Sequence, residues 1–581
     1  MAIKYDIRSS FARYTEIITD RQLLNKELWT KCVNVFSSGI DDHDDGWRGE
    51  YWGKMMRGAC LIFSVNRSEK LYDVLTNAVN GLLSKQEPDG RISSYTTDKE
   101  FVGWDMWSRK YVMTGLQHFY DICKDDELKS RIMSALISHA DYITDRVGSG
   151  KINILETGFF WGGVNSASIL EPFVRLYKDT KNEKYLDFAR YIISTGGCRD
   201  GNLIECALEG KAPFEFPEQK AYETMSFFEG LLAFYEVTGE EKYLDAVCRF
   251  AEKMLETDIT VIGSCGCTHE LFDNSTLRQT EHIDTIMQET CVTVTLIRFL
   301  SRIFEITHEK RLTDVIRSAS LNALAGALNI NGYEQYSMEK KVMMPGLLFD
   351  SYSPLCDSKR ALGIGGFKQF SDGTHFGCCA CIASAGFALY PIMSVREYDG
   401  CYYINYIADG VYSFVTSEGN EIGFDINKGR IKILTSEKSV LCRIGISEGD
   451  AFTEICASVP GKTAMHKNGY VIFEGEWHDG DEIILDVTDK LEVRHLNKKV
   501  SFNYSGFVLA ADTSKTDYKP GESYELSFDE NGNIKYEICE AEQDEQLRIN
   551  VITSDGCLSL IDYASAGQDG KSIVSVWFTE K

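Results

Sequence analysis

A helical toroid followed by β-sandwich domains is the fold class this sequence predicts. Three observations carry it: a repeat of fixed internal spacing through the first two thirds, a switch to alternating patterning near Glu397, and a length of 581 residues. That length exceeds one ordinary domain and fits about two to four.

In each repeat an aromatic ends an apolar helical stripe, a short polar turn follows, and a charged stretch opens the next helix. The copies are Phe63-SVNRSEK-Leu71, Tyr120-DICKDDE-Leu128, Tyr177-KDTKNEK-Tyr185, Tyr235-EVTGEEK-Tyr243 and Phe304-EITHEKR-Leu312. The second anchor always stands eight residues after the first, and successive copies begin 57, 57, 58 and 69 residues apart. Such a period marks stacked helical hairpins, each with one apolar face that it cannot bury alone. Five copies and a helical stretch near Ala383–Val395 make six hairpins, which fits closure into an (α/α)6 ring; an open solenoid is the alternative.

From Tyr402 onward apolar and polar residues alternate, in YYINYI, RIKILT, YVIFEG, EIILDV, SFNYSGFVLA and SIVSVWF, with Gly, Asn and Asp between them. This is the pattern of β-sandwiches. The expected division is a short segment at 1–8, whose KYDI adds a strand to a sandwich, a helical catalytic ring at 9–396, and sandwiches at 397–500 and 501–581. Loops at one end of such a ring converge on a central depression, the default place for a ligand.

Composition narrows the partners. The net charge is −26, from 61 basic and 87 acidic residues, a field that repels phosphate backbones and anionic lipid. Neither nucleic acid nor a membrane is expected as partner. The N-terminus MAIKYDIRSSFARYTEI has no apolar core of a signal peptide and no stretch approaches a membrane span, so the chain reads as cytoplasmic. Its 18 cysteines are then better read as thiols or metal ligands than as disulfides. A homodimer is left open. Aromatic residues make up 12 %, which suits sugar stacking and equally suits large cores.

Three clusters carry chemistry. Cys378-Cys379-Ala380-Cys381 follows His375 and precedes an apolar helix; a helix N-terminus and a bound cation both favour thiolates there, and paired thiolates suit zinc. The alternative is small buried cysteines at a packed helix start. Glu289-Thr290-Cys291 opens another helical stretch and would complete a set of four ligands, although a Glu at a helix start is more often a partner of the helix dipole. The loop Gly263-SCGCTH-Glu270 presents Glu270 between two helices, either to a pocket or simply to solvent; Cys265 and Cys267 within it are a candidate metal site of their own.

The segments GWRGEYWGKMMRGA (46–59), QEPDGRI (86–92), WGGVN (161–165), THELF (268–272), ETC (289–291), CC (378–379), YYINYI (402–407) and the terminal DYASAGQDGKSIVSVWF occur in an order that resembles the β-L-arabinofuranosidase-type glycoside hydrolases of families 127 and 146. The resemblance covers nearly the whole chain. It implies an (α/α)6 barrel with β-sandwich domains and a retaining exo-glycosidase acting on a terminal furanosidic or related pentose-like sugar of a glycoside or oligosaccharide. It further implies a Zn2+ ion held by Glu289, Cys291, Cys378 and Cys379, with Cys378 as nucleophile and Glu270 as acid/base.

The departures bear on specificity. Ala380-Cys381-Ile382 stands where the family has Pro-Pro-Asn, so the residues alone leave open which of Cys378, Cys379 and Cys381 attacks. Trp161 stands where the family has a pocket His, Arg109-Lys110 where it has another, and Lys220 loosely matches a third. Trp161, Arg109, Lys220 and His375 are therefore the expected substrate contacts, and the basic ones would suit a carboxylated sugar; ion-paired or surface residues are the alternative. Two other function classes fit. A zinc-dependent sugar isomerase or lyase on the same toroid needs a His or Tyr base. A non-catalytic carbohydrate-binding protein with structural zinc would be favoured by a closed four-thiolate site that includes Cys381.

Overall fold

The computed structural model describes residues 4–158, 160–281, 287–337, 340–362, 366–416 and 418–581. Its helical part begins with α1 (Ser10–Ile18) and α2 (Lys26–Asn34). Five hairpins follow: α3 (Gly49–Asn66) with α4 (Glu69–Leu83), α5 (Asp105–Ile122) with α6 (Asp126–Arg146), α7 (Leu170–Thr180) with α8 (Glu183–Ser194), α9 (Ala221–Thr238) with α10 (Glu241–Thr257), and α11 (Thr290–Thr307) with α12 (Lys310–Ala319). The last long helix is α13 (Cys378–Ser394).

The repeat's polar turn contains the stop of one helix and the start of the next. Four residues after the first anchor, Arg67, Lys181, Gly239 and His308 adopt left-handed backbone with φ of 52°, 56°, 70° and 53°, which ends a helix. One residue later Ser68, Asp125 and Asn182 accept hydrogen bonds from the first backbone N–H groups of α4, α6 and α8, as N-caps do.

Six helices close the inner ring: α3 packs on α5, α5 on α7, α7 on α9, α9 on α11, α11 on α13, and α13 back on α3. The outer companions are α4, α6, α8, α10 and α12. The sixth pair is not a hairpin. Helix α13 runs on into a strand, and its outer partner is α1 from the beginning of the chain, where Phe11 stacks on Tyr390 with centroids 4.0 Å apart. All six inner helices run in the same direction, so their N-termini gather at one end.

Beyond α13 the chain forms sheets. A six-stranded sheet takes Lys4–Ile7 as its edge, antiparallel to Gly410–Val415. A five-stranded sheet faces it, with Tyr402 packed against Phe414 and Phe424 at 5.2 Å each. A nine-stranded sheet follows, around a core that includes Val500, Phe502, Leu560 and Phe578. Leu491–Leu496 pairs with Lys499–Tyr504 in that last sheet, so a boundary drawn at 500 falls inside a hairpin; the change of sheet comes near Lys490.

Candidate active site

Two neighbouring inner helices begin with the sulfur-bearing residues. Strand Met287–Glu289 runs directly into α11, which puts Glu289 at the helix start and Cys291 in its first turn. The strand is held by Tyr352–Pro354, with Glu289 opposite Tyr352, and the Thr290 N–H donates to the Ser351 carbonyl at 2.9 Å. Strand His375–Gly377 runs likewise into α13, whose first residues are Cys378 and Cys379. The backbone of Gly366, at φ +56°, passes so close to the Cys378 sulfur that an added Cβ would lie 2.5 Å from it.

These junctions bring one ligand atom each from Glu289, Cys291, Cys378 and Cys379 within 4.8 Å of one another. The Cys378 and Cys379 sulfurs are 3.9 Å apart, and the Cys379 thiol lies 3.5 Å from Glu289 Oε1. Hydrogen bonds from the Cys291 and Cys379 thiols hold the Cys378 thiol well below its ordinary value, whereas burial pushes Cys291, Cys379 and the Glu289 carboxyl well up. Three thiols and a carboxyl packed this tightly cannot all ionise unaided; a divalent cation among them is what allows it. Glu289 Oε2 is buried with no hydrogen-bond partner, as expected of an oxygen meant for a metal. The donor set fits a metal ion and is compatible with zinc.

A second layer of charge lies beneath. Lys54 on α3 places its Nζ 4.0 Å from the Cys291 sulfur and 3.0 Å from Glu50. Glu50 also accepts from the Trp107 indole, and burial pushes its carboxyl up to about 7.

Glu270 sits in a loop pinned to the start of α9: Ala221 N–H donates to the Glu270 carbonyl at 3.0 Å and Phe272 N–H to Gln219 at 2.8 Å. Its own backbone is left-handed, φ 65°. Tyr352 OH donates to Glu270 Oε1 at 2.6 Å, and Lys220 Nζ pairs with Oε2. Tyr352 thus ties the Glu270 carboxylate to the strand that positions Glu289. Lys220 Nζ also lies 4.8 Å from the Trp161 ring centre, so Trp161, Lys220 and Glu270 form one cluster.

Arg109 departs from the expected substrate contact and is an ion-paired residue instead. It is fully buried, with Nε 2.9 Å from Asp105 and Nη2 2.7 Å from Glu100, and its guanidinium lies over Phe101 and Tyr142. Those partners turn it to the α6 side of α5, away from the pocket. The neighbouring Lys110 is the cation that turns toward α7, with Nζ 3.1 Å from Ser168 Oγ. His375 is half-buried, with Nε2 3.0 Å from the Pro345 carbonyl, which ties its hairpin to the preceding loop. Cys381 is buried, one helical turn beyond Cys378 and outside the four-ligand group. Cys265 and Cys267 form no metal group among the described residues; the Cys267 thiol instead points at the Asp273 carboxylate, 3.8 Å away. Tyr352, Lys54 and Glu50 belong to the site without a motif of their own in the sequence, although Glu50 and Lys54 stand four apart within GWRGEYWGKMMRGA.

A family model described as the GH127 catalytic domain of β-L-arabinofuranosidase matches residues 11–338. The chain belongs to this family. It is a glycoside hydrolase. The match includes Glu270, Glu289 and Cys291 and ends before Cys378. The fold is similar to that of Ara127N-Se, a GH127 β-L-arabinofuranosidase from Geobacillus stearothermophilus T6, at 15% identity and a TM-score of 0.75, with 100% of both chains covered. It is also similar to the GH127 β-arabinofuranosidase BT3674, at 14% identity and a TM-score of 0.73, over 100% of this chain and 97% of that one. No curated protein matches the sequence. No helix among the described residues is long and apolar enough to cross a membrane.

Proposed function

We propose that this hydrolase is a retaining exo-glycosidase that removes a terminal furanosidic or related pentose-like sugar, with Cys378 as nucleophile and Glu270 as acid/base. The observation that carries the reading is the gathering of Glu289, Cys291, Cys378 and Cys379 within 4.8 Å, tied through Tyr352 to a partly exposed carboxylate. The four side chains would hold zinc, which keeps thiols ionised at neutral pH.

In the first step the Cys378 sulfur attacks the anomeric carbon as the glycosidic C–O bond breaks, and Glu270 gives its proton to the departing oxygen. In the second, Glu270 takes a proton from water, the water oxygen attacks the same carbon, and the C–S bond breaks. Two displacements retain the anomeric configuration. Cys379 serves as ligand only, and Cys381 is a bystander on the next helical turn.

Lys220 bears on the substrate. Its ammonium pairs with Glu270 Oε2 and lies 4.8 Å from the Trp161 ring centre, so a substrate carboxylate beside Trp161 would meet a cation there. A carboxylated pentose-like sugar is therefore the favoured substrate, with Trp161 as its stacking face.

A cysteine-directed mechanism-based sugar, such as a haloacetamide or cyclophellitol-type probe, tests the assignment. It should label the chain once, at Cys378, and product NMR should show retention. A label on Cys381 or an inverted anomer would overturn it.

A further inference from the structure

We infer that Lys54 is a positioning residue for the metal: its ammonium holds the Cys291 sulfur as a thiolate and offsets part of the negative charge that the four donors bring. This rests on the zinc-thiolate reading above. Lys54 lies in the second turn of α3 and is buried. Its Nζ is 4.0 Å from the Cys291 sulfur and 3.0 Å from Glu50 Oε1, four residues earlier on the same helix. Three rings face the ammonium, with centres 4.6 Å away for Tyr222, 5.2 Å for Tyr111 and 5.5 Å for Trp107. Groups from α3, α5, α9 and α11 thus converge on one cation, which places it near the axis of the ring, under the ligand cluster.

The charge of the site calls for a cation there. Three thiolates and a carboxylate bring four negative charges to a divalent ion, so the filled site carries two in excess. Away from water such an excess is costly unless a counter-charge stands close. A helix ion pair alone does not explain the arrangement. Glu50 already accepts from the Trp107 indole, and a lysine serving only a carboxylate on its own helix has no need to reach a sulfur on α11, two places round the ring. The aromatic cage holds the ammonium by its ring faces. The Tyr111 and Tyr222 hydroxyls bond to each other, which leaves Glu50 and Cys291 as the acceptors of Lys54. Partners that orient and polarise a metal ligand in this way are worth about 10–100-fold in metal affinity.

The test measures zinc affinity of the whole chain by competition with a chromophoric chelator, in the parent, Lys54→Met, Glu50→Gln and the double variant Glu50→Gln/Lys54→Met. Lys54→Met should bind zinc about 10–100-fold more weakly. It also strands Glu50; the double variant removes that buried unpaired charge and so carries the test where the single variant does not fold. The double variant should show the same loss of affinity, and Glu50→Gln none. Cobalt(II) in place of zinc gives a second reading. Without the ammonium the sulfur donates more strongly, and the sulfur-to-cobalt charge-transfer band should move to longer wavelength in both Lys54 variants. Parent affinity in the double variant would show that Lys54 only neutralises Glu50 and would overturn the inference, as would an unshifted cobalt band. A parent that takes up no zinc would remove the zinc reading and this inference with it; a parent that binds zinc no better than the Lys54 variants would remove the role of Lys54 alone.

Discussion

Both the mouth and the interior of the helical ring bury charge, but they balance it differently. Deeper in the ring, Arg298 pairs with Glu171 and Glu229, and Arg302 with Glu171 and Glu236. Each guanidinium pairs with two carboxylates, although Glu171 Oε2 and Glu229 Oε1 are left without a hydrogen-bond partner; Glu171 is held well below its ordinary range, with Arg298 as the main opposing charge to its burial. At the mouth, Glu289 and three thiols have Lys54 as a close cation, and Lys54 is shared with Glu50. In the interior, carboxylates and guanidinium groups face one another as ion pairs. The mouth is a surplus of anionic donors, and that surplus marks the site.

The largest effect should come from removing a donor at the mouth. Cys379→Ala is expected to lose zinc and, with it, essentially all hydrolysis, because ligand loss lowers both metal affinity and thiolate content. Metal analysis of the purified variant checks this, and full zinc occupancy would exclude Cys379 from the ligand set.

Next in size is Glu270→Gln. It should keep the fold and the metal while removing the proposed proton donor, whose contribution is roughly 10²–10⁴-fold. An activated aryl glycoside needs less protonation, so its first step should suffer less than that of an alkyl glycoside. Unchanged rates on an alkyl glycoside would take Glu270 out of the mechanism.

The interior should respond in the opposite sense. Arg298→Met strands Glu171 and Glu229 without their main cation, which typically costs about 3–5 kcal/mol of stability. Zinc content and the rate per folded molecule should stay near normal. Denaturation midpoints and metal content read in parallel would separate the two regions; loss of zinc in this variant would show that they are one network.

The contrast also explains what the sequence discloses. The hairpins are legible because each turn encodes its own stop and cap at fixed offsets, Arg67 then Ser68, Lys181 then Asn182. The thiol cluster is legible because two short motifs, ETC and CC, each sit at a helix start. Tyr352 is not, because its role comes from a strand pairing between residues more than sixty apart. Arg109 is misplaced by motif matching because one residue along a helix rotates a side chain by about 100°, enough to exchange pocket for outer layer and leave Lys110 facing inward. The sixth outer helix is invisible as a repeat because α1 comes from the other end of the chain.

Lys110 offers the smallest and most specific test. Its ammonium is buried, 4.5 Å from the Trp107 ring centre, and burial lowers it from 10.5 to about 7 despite Glu171 and Glu229, with Arg57 and Arg298 adding to the fall. Between pH 7 and 10.5 the unfolded chain therefore binds a proton that the folded chain has released, and stability rises with pH across that window. At and below pH 7 the folded state carries the buried charge at full cost. Lys110→Met removes the cost, and Ser168 keeps its hydrogen bond to the Asn165 carbonyl at 2.6 Å. The variant should be more stable than the parent by about 1–4 kcal/mol near pH 6, with the gap closing as pH climbs toward 10.5. Urea denaturation at pH 6, 8 and 9.5 reads the difference. A gap that does not change with pH would mean that Lys110 keeps its proton in the folded ring, and that the interior's balance of charge extends to it after all.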